Sequence, residues 1–164
     1  MKKKIAILGS TGSIGTTLFN ILKKDKKNFE IVLLTADKNY KDLLKQAKVF
    51  NVKNIILTNK DIFLKINKKK LSHKMNIYNN FEIFNKLFKK KIDYVMSSIS
   101  GLEGLNPTLK IIKHTNTIAI ANKEAIICGW SIINKELKKN NTMFIPVDSE
   151  HFSIFYALHK NNIS

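Results

Sequence analysis

The chain has 164 residues, about the size of one domain, and its 44% hydrophobic and 25% charged residues describe an ordinary globular protein. Its longest strongly apolar stretch, 125–133, is too short to cross a bilayer, which takes about 20 residues. The apolar run after the first four residues stops at Gly9, so we expect no signal peptide. The single cysteine, Cys128, excludes an internal disulfide. We therefore expect a cytoplasmic protein that does not span a membrane.

The net charge of +17 raises the question of nucleic-acid binding. All 29 basic residues are lysine, whereas recognition of bases and phosphates favours the bidentate fork of arginine. A general bias toward Lys, Asn and Ile raises the charge without building a binding face. We therefore expect no nucleic-acid partner. A basic nucleotide- or nucleic-acid-binding module without catalysis stays an alternative.

Short apolar runs alternate with segments of helical periodicity along the chain. Strands are predicted at 4–8, 29–36, 54–58, 94–99, 117–121 and 143–147. Helices are predicted between them at 13–24, 40–50, 61–70, 80–90, 105–114 and 123–139. The continuous apolar strands and the helices between them predict an α/β fold, in which a Rossmann-like, doubly wound and mostly parallel sheet is covered on both faces.

A glycine loop, 9-GSTGSIG-15, joins the first predicted strand to the first predicted helix. Glycine at positions 9, 12 and 15 is a variant of the dinucleotide-binding fingerprint. Glycine permits the tight turn and lets the backbone approach a pyrophosphate, and the helix directs its first N–H groups at that anion. Ser10, Thr11 and Ser13 can add hydroxyl donors. The pattern predicts a nucleotide-binding loop, with a plain structural turn as the alternative.

The end of the second predicted strand, 35-TADKN-39, bears on the choice of cofactor. An acid such as Asp37 typically accepts hydrogen bonds from the ribose hydroxyls of NAD and repels a 2′-phosphate. Lys38 and Asn39 suit a 2′-phosphate instead. Asp37 is also a common turn residue. These residues leave the choice between the two cofactors open.

Polar residues also follow the strand predicted at 117–121. Asn122 is an ordinary helix cap, and Glu124 is favourable in a first turn. Lys123 in the same turn opposes the helix dipole, which suggests an anionic ligand nearby. The carboxyl ends of parallel strands are where such sheets bind ligands.

The next predicted strand ends in 146-PVDSEH-151. Asp148 and Glu150 are two carboxylates two residues apart, and hard cations such as Mg²⁺ take oxygen ligands. The same polar residues also suit a helix N-terminus. The sequence favours a metal site, with a helix cap as the alternative.

Three segments, GSTGSIG at 9–15, ANKE at 121–124 and PVDSEH at 146–151, together resemble the 1-deoxy-D-xylulose 5-phosphate reductoisomerase family. The resemblance covers the whole chain. It implies an enzyme that uses NADPH and Mg²⁺ or Mn²⁺ to convert the sugar phosphate 1-deoxy-D-xylulose 5-phosphate to 2-C-methyl-D-erythritol 4-phosphate, in the non-mevalonate pathway of isoprenoid synthesis. It also implies a homodimer for the complete enzyme.

The resemblance implies roles for particular residues. It places Thr11, Gly12, Ser13 and Ile14 on the NADPH pyrophosphate, Lys38 and Asn39 near the adenosine phosphate, and Asn122 and Glu124 also on the cofactor. It makes Asp148 and Glu150 metal ligands, Lys123, Ser149 and Glu150 substrate contacts, and Lys123 and Glu150 catalytic residues. Many members carry Gly where this chain has Asp37, which bears on strict preference for NADPH.

The chain ends soon after PVDSEH, whereas the family has a third acidic metal ligand, substrate-phosphate residues and a glycine-rich flap further along. We therefore expect residues 1–147 to form the NADPH-binding domain and residues 148–164 to begin the catalytic, metal-binding domain. The isolated chain is expected to be inactive.

Another enzyme class is an alternative. Short-chain and extended dehydrogenases share a T-G-x-x-G loop and use a Tyr-x-x-x-Lys pair, which Tyr156 and Lys160 match. The serine expected about a dozen residues before that tyrosine is replaced by Thr142 and Met143.

Three side chains outside the motifs have simple interpretations. His114 lies in a polar stretch and is expected to be solvated. Cys128 and Trp130 are expected to be buried or half-buried by packing.

Overall fold

The computed structural model describes residues 1–67 and 75–147. The strands are β1 (Lys3–Leu8), β2 (Phe29–Ala36), β3 (Asn54–Leu57), β4 (Asn76–Tyr78), β5 (Ile92–Ser97), β6 (Thr115–Ile120) and β7 (Met143–Pro146). The helices are α1 (Ser13–Lys24), α2 (Tyr40–Phe50), α3 (Lys60–Asn67), α4 (Phe84–Leu87), α5 (Leu105–Ile112) and α6 (Lys123–Lys139). Strand and helix alternate throughout, and a short 3₁₀ turn precedes α4 and another precedes α5.

The seven strands form one sheet in the order β4-β3-β2-β1-β5-β6-β7. Every pairing is parallel, and Ile5 of β1, for example, lies between Ile31 of β2 and Tyr94 of β5. The predicted α/β, Rossmann-like and mostly parallel fold is confirmed, and in the described part of the chain all strand pairings are parallel. The strand order reverses between β1 and β5. In such sheets the ligand crevice opens at this reversal, at the carboxyl ends of the strands.

Two apolar cores lie on opposite faces of the sheet, because successive side chains of a strand point in opposite directions. Ile5 and Ile7 of β1 belong to one core, whereas Ala6 and Leu8 belong to the other. The first core is completed by Phe19, Leu22, Leu43 and Ala47 of α1 and α2, and the second by Ile111, Ile112, Ile133 and Leu137 of α5 and α6. Each fully buried Leu or Ile contributes about 1.5–3 kcal/mol. Packing on both faces thereby fixes the strands, and the strands in turn fix the positions of the loops at their ends.

Several predicted helix boundaries are confirmed, namely those of α1, α2 and α6. At α2 and α6, an asparagine caps the helix, since Asn39 accepts a hydrogen bond from the Asp42 N–H and Asn122 accepts one from the Ala125 N–H. Asn51 ends α2 in the left-handed conformation, with φ 53°. Local sequence therefore determines where these helices start and stop.

The prediction of a helix over 80–90 was wrong. A 3₁₀ turn over Phe81–Ile83 leads into α4, which ends at Leu87. Phe88 leaves the helical region, with φ −110° and ψ 88°, and packs against Phe84 and His114 in the core. The free energy gained by burying the Phe88 ring is larger than that of extending the helix into the three lysines that follow.

Other boundaries differ from the prediction. The three-residue edge strand β4 was missed, because it is too short to show a period. Strands β5 and β6 begin two residues earlier than predicted and end at Ser97 and Ile120. Helix α3 begins at Lys60, one residue earlier than predicted, and is described as far as Asn67; residues 68–70, also predicted for it, lie outside the described part of the chain.

Three side chains contradict their simple interpretations. His114 is buried, with 9% of its surface exposed, and its Nε2 lies 3.2 Å from Asn85 Oδ1. Cys128 is exposed, and so is Trp130, although the Trp130 ring contacts that of Phe144. Within residues 1–67 and 75–147, no helix is long and apolar enough to cross a membrane.

Candidate nucleotide-binding site

A cleft of about 380 Å³ opens at the carboxyl ends of β1, β2, β3 and β5, where the strand order reverses. Its lining comes from the ends of these four strands, from the loops that follow them, and from the 3₁₀ turn after β4: Gly9, Gly12, Thr35, Ala36, Asp37, Thr58, Phe81, Ser98, Ile99, Ser100 and Glu103. The glycine loop and the end of β2, both predicted to hold the nucleotide, meet in this cleft.

The three glycines of the loop have different functions. Gly9 has φ +79°, and a Cβ there would lie 2.7 Å from the carbonyl oxygen of Ser98. At Gly15, a Cβ would lie 2.7 Å from the Cα of Ser10. At Gly12, φ is −75° and the nearest atom to a Cβ would be the Gly9 carbonyl oxygen at 3.4 Å. The fold therefore requires glycine at 9 and 15, whereas glycine at 12 leaves space in the cleft.

The loop is anchored to β2 by hydrogen bonds. The Gly9 N–H donates to Thr35 Oγ1 at 2.9 Å, and the Ser10 N–H donates to the Thr35 carbonyl at 2.8 Å. Ser10 is fully buried, and its hydroxyl also donates to the Thr35 carbonyl at 3.2 Å. The expectation that Ser10 offers its hydroxyl to a ligand was therefore wrong. Thr11 is half-buried, while Ser13 and Ile14 are exposed at the start of α1.

Helix α1 presents its N-terminus to the cleft. Gly12 is its N-cap residue, and in the described part of the chain no side chain caps it and no acidic residue lies in its first turn. Helices α2 and α6, by contrast, have asparagine caps. The first N–H groups of α1 and the positive end of its dipole are therefore available to an anion.

The end of β2 places one acid in the cleft. Asp37 lines it and accepts a hydrogen bond from Thr58 Oγ1 at 2.9 Å. Lys38 is exposed beside it. The Asn39 side chain caps α2 and donates to Asp42 Oδ2 at 2.9 Å, and this hydrogen bond, with that from Lys45, lowers the pKa of Asp42. Neither Lys38 nor Asn39 lines the cleft.

The segment after β6 lies at the same edge of the sheet, outside the cleft lining. Asn122 is buried, and its Nδ2 donates to the carbonyl oxygens of Ile99 and Gly101. Its Oδ1 caps α6, so most of its hydrogen-bonding capacity is used within the protein. Lys123 and Glu124 are exposed in the first turn of α6.

The predicted metal motif lies outside the described residues. The Val147 N–H donates to the Ile120 carbonyl at 3.1 Å, so the chain leaves β7 at the carboxyl edge, beside the start of α6. Within 1–67 and 75–147, no group of three His, Cys, Asp or Glu residues is arranged to hold a metal ion. The predicted residues beyond this point are Asp148, Ser149, Glu150, Tyr156 and Lys160.

Sequence reasoning missed half of the cleft. Ser98, Ser100 and Glu103 follow β5, the strand that neighbours β1. A signal existed in 97-SSISG-101, a polar run at a strand end, but nothing local shows that this strand lies next to the glycine loop. Thr58 and Phe81 come from other loops and carry no comparable signal.

A parallel sheet with a glycine loop and an uncapped helix N-terminus at the reversal of strand order defines a Rossmann-like dinucleotide-binding domain. Residues 5–129 match the family model described as 1-deoxy-D-xylulose 5-phosphate reductoisomerase, and the chain belongs to this family. Membership does not favour the short-chain dehydrogenase or the non-catalytic module.

Similar sequences and similar solved structures agree with this family assignment. The 1-deoxy-D-xylulose 5-phosphate reductoisomerase of Pelagibacter ubique (strain HTCC1062) is 60% identical over 161 residues, which cover 97% of this chain and 42% of that protein. The reductoisomerase from Zymomonas mobilis, solved in complex with NADPH, has a TM-score of 0.83 at 26% identity, covering 92% of this chain and 40% of that one. A reductoisomerase solved with NADPH, fosmidomycin and magnesium has a TM-score of 0.82 at 28% identity, covering 91% and 37%. The chain thus spans about two fifths of the length of these relatives.

Proposed function

We propose that this chain is the NADPH-binding part of a metal-dependent enzyme that converts 1-deoxy-D-xylulose 5-phosphate to 2-C-methyl-D-erythritol 4-phosphate. The observation that carries the proposal is the glycine loop beside the cleft, in a fold that matches a family member solved with NADPH. The surroundings of Gly12 and the uncapped start of α1 suit a pyrophosphate.

The described residues fit the cofactor at one end of the cleft. Thr11, Gly12, Ser13 and Ile14 would hold the pyrophosphate, because they join β1 to the N-terminus of α1. Lys38 and Asn39 would lie near the adenosine phosphate, where the exposed ammonium of Lys38 provides charge. Asn122 and Glu124 complete the proposed set. When bound, NADPH supplies the hydride that reduces the rearranged aldehyde.

The substrate and the metal are assigned to the next two strand ends. Lys123 is exposed at the positive end of α6, which suits the phosphate of a sugar phosphate. Asp148, Ser149 and Glu150 follow directly after Val147, which is hydrogen-bonded to β6 at the same edge. Asp148 and Glu150 would bind Mg²⁺ or Mn²⁺, and Ser149 and Glu150 would contact substrate. When bound, the cation would stabilise negative charge on the substrate oxygens.

The organisation of the whole protein is part of the proposal. Residues 1–147 form the NADPH-binding domain, and residues 148–164 begin the catalytic domain. The complete enzyme is a homodimer, as the family suggests. It is cytoplasmic, as the single cysteine suggests. The 164-residue chain alone is inactive, because its relatives are more than twice its length.

Two measurements test the proposal. Titration calorimetry of the 164-residue chain should show NADPH binding. A chimera that joins this chain to the unmatched remainder of the Pelagibacter ubique relative should oxidise NADPH only when 1-deoxy-D-xylulose 5-phosphate and Mg²⁺ are both present. A chain that does not bind NADPH, or a well-folded chimera without this activity, would contradict the proposal.

A further inference from the structure

We propose that Gln46, on α2, is a positioning residue that turns the Thr11 amide of the glycine loop toward the cofactor phosphates. This inference rests on the proposed binding of NADPH. Gln46 is buried, with 7% of its surface exposed, and its Nε2 donates to the Ser10 carbonyl oxygen at 2.9 Å. It lies 36 positions along the chain from Ser10, and no motif includes it.

The effect on Thr11 follows from the geometry of the peptide bond. The Ser10 carbonyl and the Thr11 N–H belong to one planar trans unit, so they point in opposite directions. Gln46 holds the carbonyl toward the protein interior, and the Thr11 N–H must therefore point outward. In the part of the chain that the structure describes, no acceptor is hydrogen-bonded to that N–H. An outward backbone N–H at a helix N-terminus is the donor that a phosphate requires.

The remaining contacts cannot set this orientation alone. Thr35 holds the N–H and the hydroxyl of Ser10, which precede the peptide unit in question. Thr16 Oγ1 also donates to the Ser10 carbonyl, but at 3.4 Å, close to the limit for a hydrogen bond. Without Gln46, the long contact from Thr16 is the one hydrogen bond left to the Ser10 carbonyl among the described residues, so the orientation of the Ser10–Thr11 peptide is less well defined.

Stability does not explain a glutamine at this position. Gln46 Oε1 is buried and, among the described residues, has no hydrogen-bond partner. An unsatisfied buried acceptor destabilises a fold, whereas an apolar side chain of the same shape does not. The feature that an apolar residue would lose is the hydrogen bond to Ser10.

The test compares Gln46→Met with Leu43→Ala in the 164-residue chain. Methionine keeps the shape of glutamine but removes the donor, and Leu43 is fully buried on the same helix. We expect Gln46→Met to weaken NADPH binding about three- to tenfold. The thermal midpoint should change little, because the loss of the donor to Ser10 is offset by the removal of the unsatisfied Oε1. Leu43→Ala should lower the midpoint and leave the affinity unchanged at temperatures where it is folded. The ¹H–¹⁵N signal of Thr11 should shift in Gln46→Met before NADPH is added.

Several outcomes would overturn the inference. One is a Gln46→Met chain with unaltered affinity, and another is an affinity loss equal to that of Leu43→Ala. Gln46→Leu repeats the test if the methionine variant does not fold. An unaltered chain that binds no NADPH would overturn the proposed function instead. Even if the unaltered chain binds no NADPH, the Thr11 signal still tests the role of Gln46. A signal that is the same in Gln46→Met and in the unaltered chain would show that Gln46 does not orient the loop.

Discussion

Gly9 at the end of β1 lies so close to Ser98 at the end of β5 that a Cβ on Gly9 would come within 2.7 Å of the Ser98 carbonyl oxygen. The Ser98 N–H and hydroxyl both donate to the Leu8 carbonyl, at 2.9 and 2.8 Å, and hold the two strand ends together. The first glycine of the fingerprint is thus required by a neighbouring strand. Gly12 also lines the cleft, and there the fold does not require a glycine.

Gly9→Ala should therefore destabilise the fold for two reasons, its positive φ and the contact with Ser98. Gly101→Ala is a matched control, since Gly101 has φ +71° but, among the described residues, no atom within 4 Å of the position that a Cβ would take. At Gly101, φ +71° combined with ψ −176° is a backbone conformation that is essentially restricted to glycine and costs other residues about 1–3 kcal/mol. We expect Gly101→Ala to lose about that much in denaturant unfolding, and Gly9→Ala to lose clearly more. Equal losses would show that the backbone of Ser98 yields to the added methyl group.

Gly12→Leu should abolish NADPH binding and keep the fold. Gly12 has φ −75°, which any residue adopts, and its side of the loop faces the cleft. A leucine there would occupy the space that a pyrophosphate needs. Gly12→Ala makes the same change at the N-cap with a smaller group, so its affinity loss should be smaller. Calorimetric titration and thermal unfolding of both variants check this, and normal NADPH binding by Gly12→Leu would contradict it.

NADPH should bind more tightly than NADH, because we propose that Lys38 lies near the 2′-phosphate and offers it a positive charge. Lys38→Met should weaken NADPH binding about two- to fivefold, the range for exposed ion pairs, and leave NADH unchanged. Asp37→Asn should strengthen NADPH binding, since it removes a negative charge from the cleft. Titrations with both nucleotides measure these changes. Tighter binding of NADH by the unaltered chain would mean that Asp37 determines the preference.

The two carboxylates of PVDSEH should both be required for Mg²⁺-dependent turnover. In the chimera, Asp148→Asn and Glu150→Gln keep the shape but lose the charge that holds a hard cation. Losses should exceed the roughly 10- to 100-fold typical of changes around metal ligands. The loss should be larger for Glu150→Gln, because we propose a substrate contact for Glu150 as well. NADPH binding should survive, as should activity in the control Asp61→Asn, which changes an exposed acid on α3. Near-normal turnover of either variant at low Mg²⁺ would favour the helix cap instead.

The stability of the fold should decrease on mild acidification because of His114. Burial, together with nearby Lys113, lowers the pKa of His114 below its ordinary 6.5, although the Phe88 backbone opposes this shift. As the pH falls, His114 is therefore protonated in the unfolded chain before it is protonated in the folded one. The stability that neutral His114 contributes is complete above pH 6.5 and is lost as the pH falls through the pKa of His114 in the folded state. Unfolding midpoints between pH 8 and 5 should fall less in His114→Phe than in the unaltered chain. Parallel pH profiles would contradict a neutral, buried His114.

The sequence by itself determined the fold class, the boundaries of α1, α2 and α6, and the position of the glycine loop. Helical periods, asparagine caps and glycine conformations act over a few residues, so they can be recognised without knowing which segments meet. The three motifs together were also enough to indicate the family.

Only the tertiary structure decided which residues share the site. Ser98 lies next to Gly9 although 89 positions separate them, and Gln46 reaches Ser10 across 36. The burial of His114 is another example. Its polar neighbours in sequence predict a solvated side chain, but its ring packs against Phe84 and Phe88 in the core. Such contacts depend on the order of strands in the sheet and on which helix covers which face. That order minimises exposed apolar surface over the whole chain, and no local pattern encodes it.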